Sequence, residues 1–327
     1  MSKSKNRAVF GVLFLVFLFF IILMIFATYT MQVLQDESSG ITASRSKGKI
    51  GIIEVQGVIM DSKDTVELLH RAEKDKSIEA IILRINSPGG AVGPSQEIYE
   101  EIRRIDMAYD ARMKEGKDKK KKDSDIPERG KPIYASFGTM AASGGYYIGA
   151  AARRIYSNPG TLTGSIGVIM QFMDLSKLYE LAKVKQETIK AGRYKDAGHP
   201  DRPMTTEERK MLTDLIAGVH KQFRDHISAP RAKKLKRDLK ELAQGQIFSG
   251  EQALEYGLVD RMGSLWTAAR EVHEELNLEG EMTMKYIKKK KKVSVWEFMD
   301  SLEEAANKLS FSTIFNKVPF LMAKMKY

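Results

Sequence analysis

The run Ala80–Ile85 (AIILRI) is apolar at all positions but one and stops at Asn86-Ser-Pro-Gly-Gly. So short a run, without the alternation of a half-exposed strand, suits a parallel strand buried on both faces. Parallel neighbours need crossover connections, usually helices, so this segment constrains the chain to an α/β architecture. The flanking sequence agrees. Lys49–Met60 (KIGIIEVQGVIM) is a β-branched run that predicts one or two strands, and Thr65–Glu73 carries Val66, Leu68, Leu69 and Ala72 at helical spacing. A helix is expected from about Pro94 to Met113, a strand over Pro132–Phe137 and a helix starting near Ser143. Further strands are expected over Arg154–Ser157, Ser165–Gln171 and Gln186–Lys190, then a more helical part over Thr206–Ala243 and Gln252–Leu276.

Ahead of this core, Ala8–Ala27 runs twenty residues without a charge. As a helix it would span about 30 Å, the thickness of a bilayer core. Lys3, Lys5 and Arg7 precede it and Asp36 and Glu37 are the first charges after it, which predicts a cytoplasmic N-terminus and an extracytoplasmic remainder. A cleaved secretory signal would have a shorter apolar region and a small-residue cleavage site, and Ala27-Thr28-Tyr29-Thr30 is a poor one. The expected organisation is a cytoplasmic stub (1–7), a transmembrane helix (8–28), a polar stalk (29–48), an extracytoplasmic folded domain (49–287) and a tail (288–327). Within the domain, 114–131 (KEGKDKKKKDSDIPERGK) is a charged insertion. The tail joins a lysine run to an amphipathic stretch bearing Trp296, Phe298, Phe311 and Phe315, suited to packing, to a membrane surface or to assembly.

The chain has no cysteine, which excludes disulfides, thiol catalysis and cysteine-based zinc sites. Its formal charge of +11 resides largely in the runs Lys119–Lys122 and Lys288–Lys292. Such runs are solvated segments or lipid-headgroup contacts rather than a nucleic-acid face, so no nucleic-acid partner is expected.

Three segments carry chemistry. In Met140-Ala-Ala-Ser143-Gly144-Gly-Tyr-Tyr, Ser143 falls between a strand and a helix, where free N–H groups assist a hydroxyl nucleophile; its ordinary reading is an N-cap. Gly89 and Gly90 close a strand and present backbone N–H groups without a Cβ in the way; their ordinary reading is a Pro-Gly turn. Lys195, in Ala191-Gly-Arg-Tyr-Lys-Asp, is a candidate base only if burial strips its proton; its ordinary reading is a solvated loop cation.

In order and spacing, SPGG, MAASGGYY, NPGTLTGSIGV (Asn158–Val168), AGRYKD and the later IFSGEQALEYGLVD (Ile247–Asp260) closely resemble signal peptide peptidase A over roughly Lys49 to Leu276. The resemblance implies a Clp protease/crotonase-like fold of repeated β-β-α units. It puts Ser143 on the family nucleophile, Lys195 on its lysine base and Ser165 on a serine that orients the lysine. Backbone N–H groups of Gly144 and of Gly89 or Gly90 would hold the oxyanion, with no cofactor or metal needed. Serine and lysine in one repeat match the family's short form, which implies a homo-oligomer of about eight copies with the dyad shared between protomers. The implied substrates are hydrophobic peptides, such as signal-peptide remnants, and misfolded envelope proteins, at a bacterial cell membrane. Alternatives are a catalytically silent membrane scaffold, a membrane peptidase with a stomatin-like partner, a histidine base at His199, and acyl-CoA chemistry, for which an external domain has no ready supply.

Overall fold

A computed structural model of the chain describes residues 17, 19–21, 23–24, 49–115 and 130–289. The chain divides into Met1–Ile287 and Lys288–Tyr327, and only Lys288 and Lys289 of the second unit are among the described residues. The expected membrane segment lies almost wholly outside them; its six described residues are helical and exposed. Among the described residues no helix is long and apolar enough to cross a membrane.

The first unit is a mixed sheet flanked by helices. Its strands are β1 (Lys49–Ile59), β2 (Ile78–Gly90), β3 (Ile133–Ala142), β4 (Ile155–Ser157), β5 (Leu162–Gly164), β6 (Ile247–Ser249), β7 (Arg261–Met262) and β8 (Thr283–Tyr286). Its helices are α1 (Lys63–Lys74), α2 (Val92–Glu115), α3 (Gly144–Ala150), α4 (Ser176–Leu181), α5 (Thr206–Arg231), α6 (Leu239–Leu242), α7 (Gly250–Tyr256) and α8 (Leu265–Glu275). The main strand order is β6-β5-β3-β2-β1-β8, with β4 joining β3 to β7. Every pairing is parallel except β5 with β6.

The unbroken apolar run in β2 has a direct cause. Ile81, Leu83 and Ile85 join Ile53, Val55 and Phe137 on the face covered by α1, α2 and α3, while Ala80 and Ile82 join Ile50, Ile52 and Tyr134 against α8. Both faces are core where β2 starts, so alternation vanishes. Helix ends follow their local sequence. Thr205 with Glu208 and Ser249 with Gln252 form capping boxes on α5 and α7, and Gly257 ends α7 in the left-handed conformation at φ 77°.

This mixed α/β sheet, with helices joining the parallel strands from β1 to β4, is consistent with the expected Clp protease/crotonase-like class. Two expectations need correction. No strand forms over Ser165–Gln171, because Gly164 and Ser165 both have positive φ (82° and 49°) and turn the chain out of the sheet after β5. No strand forms over Gln186–Lys190 either, since this segment is exposed throughout and has no strand to pair with.

The insertion 114–131 also reads differently at its end. Residues 116–129 lie outside the described set, but Lys131 is buried at 6% exposure. Its ammonium donates to the carbonyls of Ala72 (2.6 Å) and Asp75 (2.5 Å) at the end of α1. Burial pushes its pKa down to about 8.

Candidate active site

Strand β3 delivers Ser143 through an irregular end. Between Ile85↔Phe137 and Ser87↔Ala141 the β2–β3 register shifts, so β3 carries extra residues around Gly138. Side chains fill the ladder's gaps. Asn86 Oδ1 accepts the Met140 N–H (3.2 Å), while the hydroxyls of Thr161 and Thr163 donate to the carbonyls of Gly138 and Ala141 (both 2.7 Å). Arg84 donates to Ser136 Oγ (3.0 Å) and to Phe137 O (2.6 Å).

Ser143 then sits at the head of α3 with φ 53° and ψ −120°, a conformation L-residues seldom adopt. Its side chain makes no capping bond, which removes the ordinary N-cap reading. Its backbone is held on both sides: the N–H donates to Gly164 O (2.9 Å), and the carbonyl accepts from Tyr147 N (2.9 Å). The hydroxyl is thus carried on a fixed, strained junction and left without an internal partner among the described residues. Below it Tyr147 packs tilted on Phe223 with ring centroids 4.4 Å apart, and its hydroxyl meets His226 Nδ1 at 2.7 Å.

The end of β2 lies against this junction. A Cβ on Gly89, whose φ is 102°, would stand 2.7 Å from Gly144 N and 2.8 Å from Ser143 Cβ. A Cβ on Gly144 would stand 3.2 Å from Gly90 N. Only glycine permits this approach, so the paired glycines are more than a turn signal. The structure therefore brings Gly89, Gly90, Ser143 and Gly144 together. Ser165 follows Gly164, the partner of Ser143 N–H, and its own N–H donates to Gln246 O (2.6 Å).

Lys195 is placed elsewhere. It lies exposed in a turn where its N–H bonds Gly192 O (3.2 Å), and among the described residues its side chain has no hydrogen-bond or ion-pair partner. Asp196 anchors the turn, meeting Lys190 Nζ at 2.5 Å and Arg202 at 3.1 Å; the bond from Lys190, with help from Arg202, holds its carboxyl down at about 2. This turn belongs to an arm, residues 169–195, exposed along most of its length, with Met173, Leu181 and Ile189 at 73%, 81% and 97% exposure. The base of the arm holds a cavity of about 610 Å³ lined by Phe172, Met173, His199, Met204 and Arg209 among others; of the candidate residues only His199, the alternative base, lines it. His199 meets Asp201 at 2.8 Å, His70 meets Glu101 at 2.7 Å, and neither contacts Ser143.

The sequence reading missed Asn86, Ser87, Thr161 and Thr163 as parts of the site. All four lie inside the motifs already singled out; the available signal was a set of small polar residues beside paired glycines in strands otherwise apolar.

Comparison with known proteins now decides the class. A model of peptidase family S49 matches residues 126–279. A Synechocystis sp. protein assigned as a protease is 38% identical over 221 residues, 67% of this chain and 71% of that one. An Enterococcus faecium protein assigned as signal peptide peptidase SppA is 32% identical over 254 residues, 74% of this chain and 67% of that one. This chain belongs to peptidase family S49. It is a serine protease of the signal peptide peptidase A type, and the family model spans Ser143, Ser165 and Lys195. Among solved structures, a mutant of the 1510-N membrane-bound stomatin-specific protease matches with TM-score 0.45 and 17% identity, covering 75% of this chain and 99% of that one.

Proposed function

We propose that this S49 protease is a membrane-anchored endopeptidase in which Ser143 of one copy works with Lys195 of a neighbouring copy. The observation that carries the reading is the Ser143 junction: an uncapped hydroxyl at positive φ, on a backbone so close to Gly89 that a Cβ there would stand 2.8 Å from Ser143 Cβ and 2.7 Å from the Gly144 amide nitrogen. A hydroxyl needs a base to become a nucleophile, and backbone amides there suit an oxyanion. Neutral Lys195 takes the Ser143 proton as Oγ attacks the substrate carbonyl. The lysine ammonium returns that proton to the amine that departs as the C–N bond breaks, and the neutral lysine then takes a proton from the water that hydrolyses the acyl ester. Ser165 orients the lysine from beside Gly164.

To act as a base Lys195 needs a desolvated setting, which its exposed turn does not supply. Its place on an arm rich in exposed apolar side chains supports desolvation by a second copy rather than within one chain. We therefore read the active form as a closed homo-oligomer, of about eight copies by family resemblance. The apolar run at 8–27 anchors it in the bacterial cell membrane with the catalytic domain outside. Its substrates are hydrophobic peptides at that surface, including signal-peptide remnants. The silent scaffold and the stomatin-directed peptidase have no observation in their favour.

Mixing tests the shared dyad. Ser143→Ala and Lys195→Ala should each abolish cleavage of a fluorogenic apolar peptide. Co-assembled in equal amounts, they should regain about a quarter of wild-type activity, the fraction of interfaces pairing an intact serine with an intact lysine. No recovery from a verified mixed assembly would sink the shared arrangement. Retained activity in Lys195→Ala alone would sink the lysine base.

A further inference from the structure

We infer that Ser87 is a positioning residue that assigns the oxyanion role to Gly90 by occupying the amide of Gly89. The inference rests on Ser143 being the nucleophile. Two glycines follow Pro88 and pack on the Ser143–Gly144 junction, so both amides are candidates to serve a substrate oxygen. The hydrogen bonds separate them. Ser87 is fully buried, and its Oγ accepts the Gly89 N–H at 3.0 Å. An amide already donating to a buried hydroxyl is not free to meet a developing charge.

Gly90 is in the opposite position. The Ala91 N–H donates to Ile59 O at 2.7 Å, within the Ile59↔Gly90 pairing of the β1–β2 ladder. Successive amides of an extended strand point to opposite sides, so the Gly90 N–H is directed away from β1. Gly144 lies on that side, with Gly90 N 3.2 Å from where its Cβ would be. The Gly90 and Gly144 amides therefore form the donor pair. The Ser87–Gly89 bond also closes a local turn across Pro88 and holds Gly89 at φ 102°, the geometry that aims its neighbour. Ser87 is fixed in turn: it pairs with Ala141 in β3, and its carbonyl is 2.8 Å from where a Cβ on Gly145 would be. One hydroxyl thus ties the aim of the donor to the strand that carries the nucleophile.

The test uses the full-length chain in its assembled state and compares wild type, Ser87→Ala and Ser87→Cys, the last keeping the volume while weakening the acceptor. The readouts are kcat and KM on an apolar peptide, the inhibition constant of a peptide boronate that mimics the tetrahedral adduct, and the thermal midpoint. Ser87→Ala should lower kcat roughly ten- to a hundredfold, a fraction of what losing one oxyanion donor costs, with KM little changed. Boronate affinity should fall by a similar factor, because a mimic feels the same misaimed donor. Ser87→Cys should lie between, and it carries the test alone if the alanine variant does not fold. A folded variant with kcat and boronate affinity at wild-type levels, or with only KM raised, would overturn the inference while leaving the nucleophile intact. Persistent activity in a Ser143→Ala control would instead overturn the nucleophile assignment, and this inference with it.

Discussion

At the scale of single residues, the site depends on side chains that are missing. Gly89→Ala would push a methyl group to 2.7 Å from Gly144 N while forcing an L-residue to φ 102°. We expect peptidase activity to fall roughly a hundredfold or more, as when an oxyanion donor is lost, with a stability cost of about 1–3 kcal/mol for the strained backbone. Assay and urea denaturation of the same preparation separate the two effects. Lys131 makes a prediction of opposite character. Its folded pKa, about 8, lies below the unfolded value, so between these the unfolded chain holds more protons. The Lys131 contribution to stability therefore rises with pH across that window, and below pH 8 the buried ammonium is a net electrostatic cost. Wild type should gain about 1–2 kcal/mol relative to Lys131→Met between pH 7 and pH 10, a difference read from paired urea midpoints. Equal slopes for the two proteins would count against a titrating, buried lysine.

At the scale of elements, α5 is attached to the sheet by charge. Arg231, fully buried at its end, donates to Asp260 (3.0 and 3.1 Å) and to Gly257 O (2.7 Å), while Asp260 accepts the Ile155 N–H (2.8 Å) from β4. Arg231→Met would leave Asp260 paired with Lys234 alone (3.2 Å), so it should cost about 2–3 kcal/mol by urea denaturation, below the full cost of a stranded buried charge. Asp260 closes a motif that the sequence marks plainly, but nothing in the sequence names Arg231 as its partner. The same contrast runs through the site. β2, Ser143 and its glycines were readable because fold and chemistry share one short stretch. The spans Ser165–Gln171 and Gln186–Lys190 hold β-branched residues yet form no strand, because Ile169 and Ile189 stand in the open on the arm rather than against a sheet. Lys131 was placed in a charged loop because its neighbours are charged, and only tertiary contacts bury it. For Lys195 the sequence supplies a candidate and no surroundings.

At the scale of the whole molecule, the arm is the feature a lone subunit leaves unexplained. Leu181 and Ile189 are exposed enough that a double change, Leu181→Asp with Ile189→Asp, should leave the protomer's thermal midpoint within a degree or two. The same change should shift the molar mass by light scattering from oligomer to monomer and abolish peptidase activity. A monomeric but fully active variant would show that Lys195 needs no neighbour. On the proposed arrangement, the lysine's exposure in an isolated copy acts as a safety device. An isolated subunit would then be inert, and hydrolysis would begin only once copy number drives assembly, so specific activity should collapse on dilution and return on concentration.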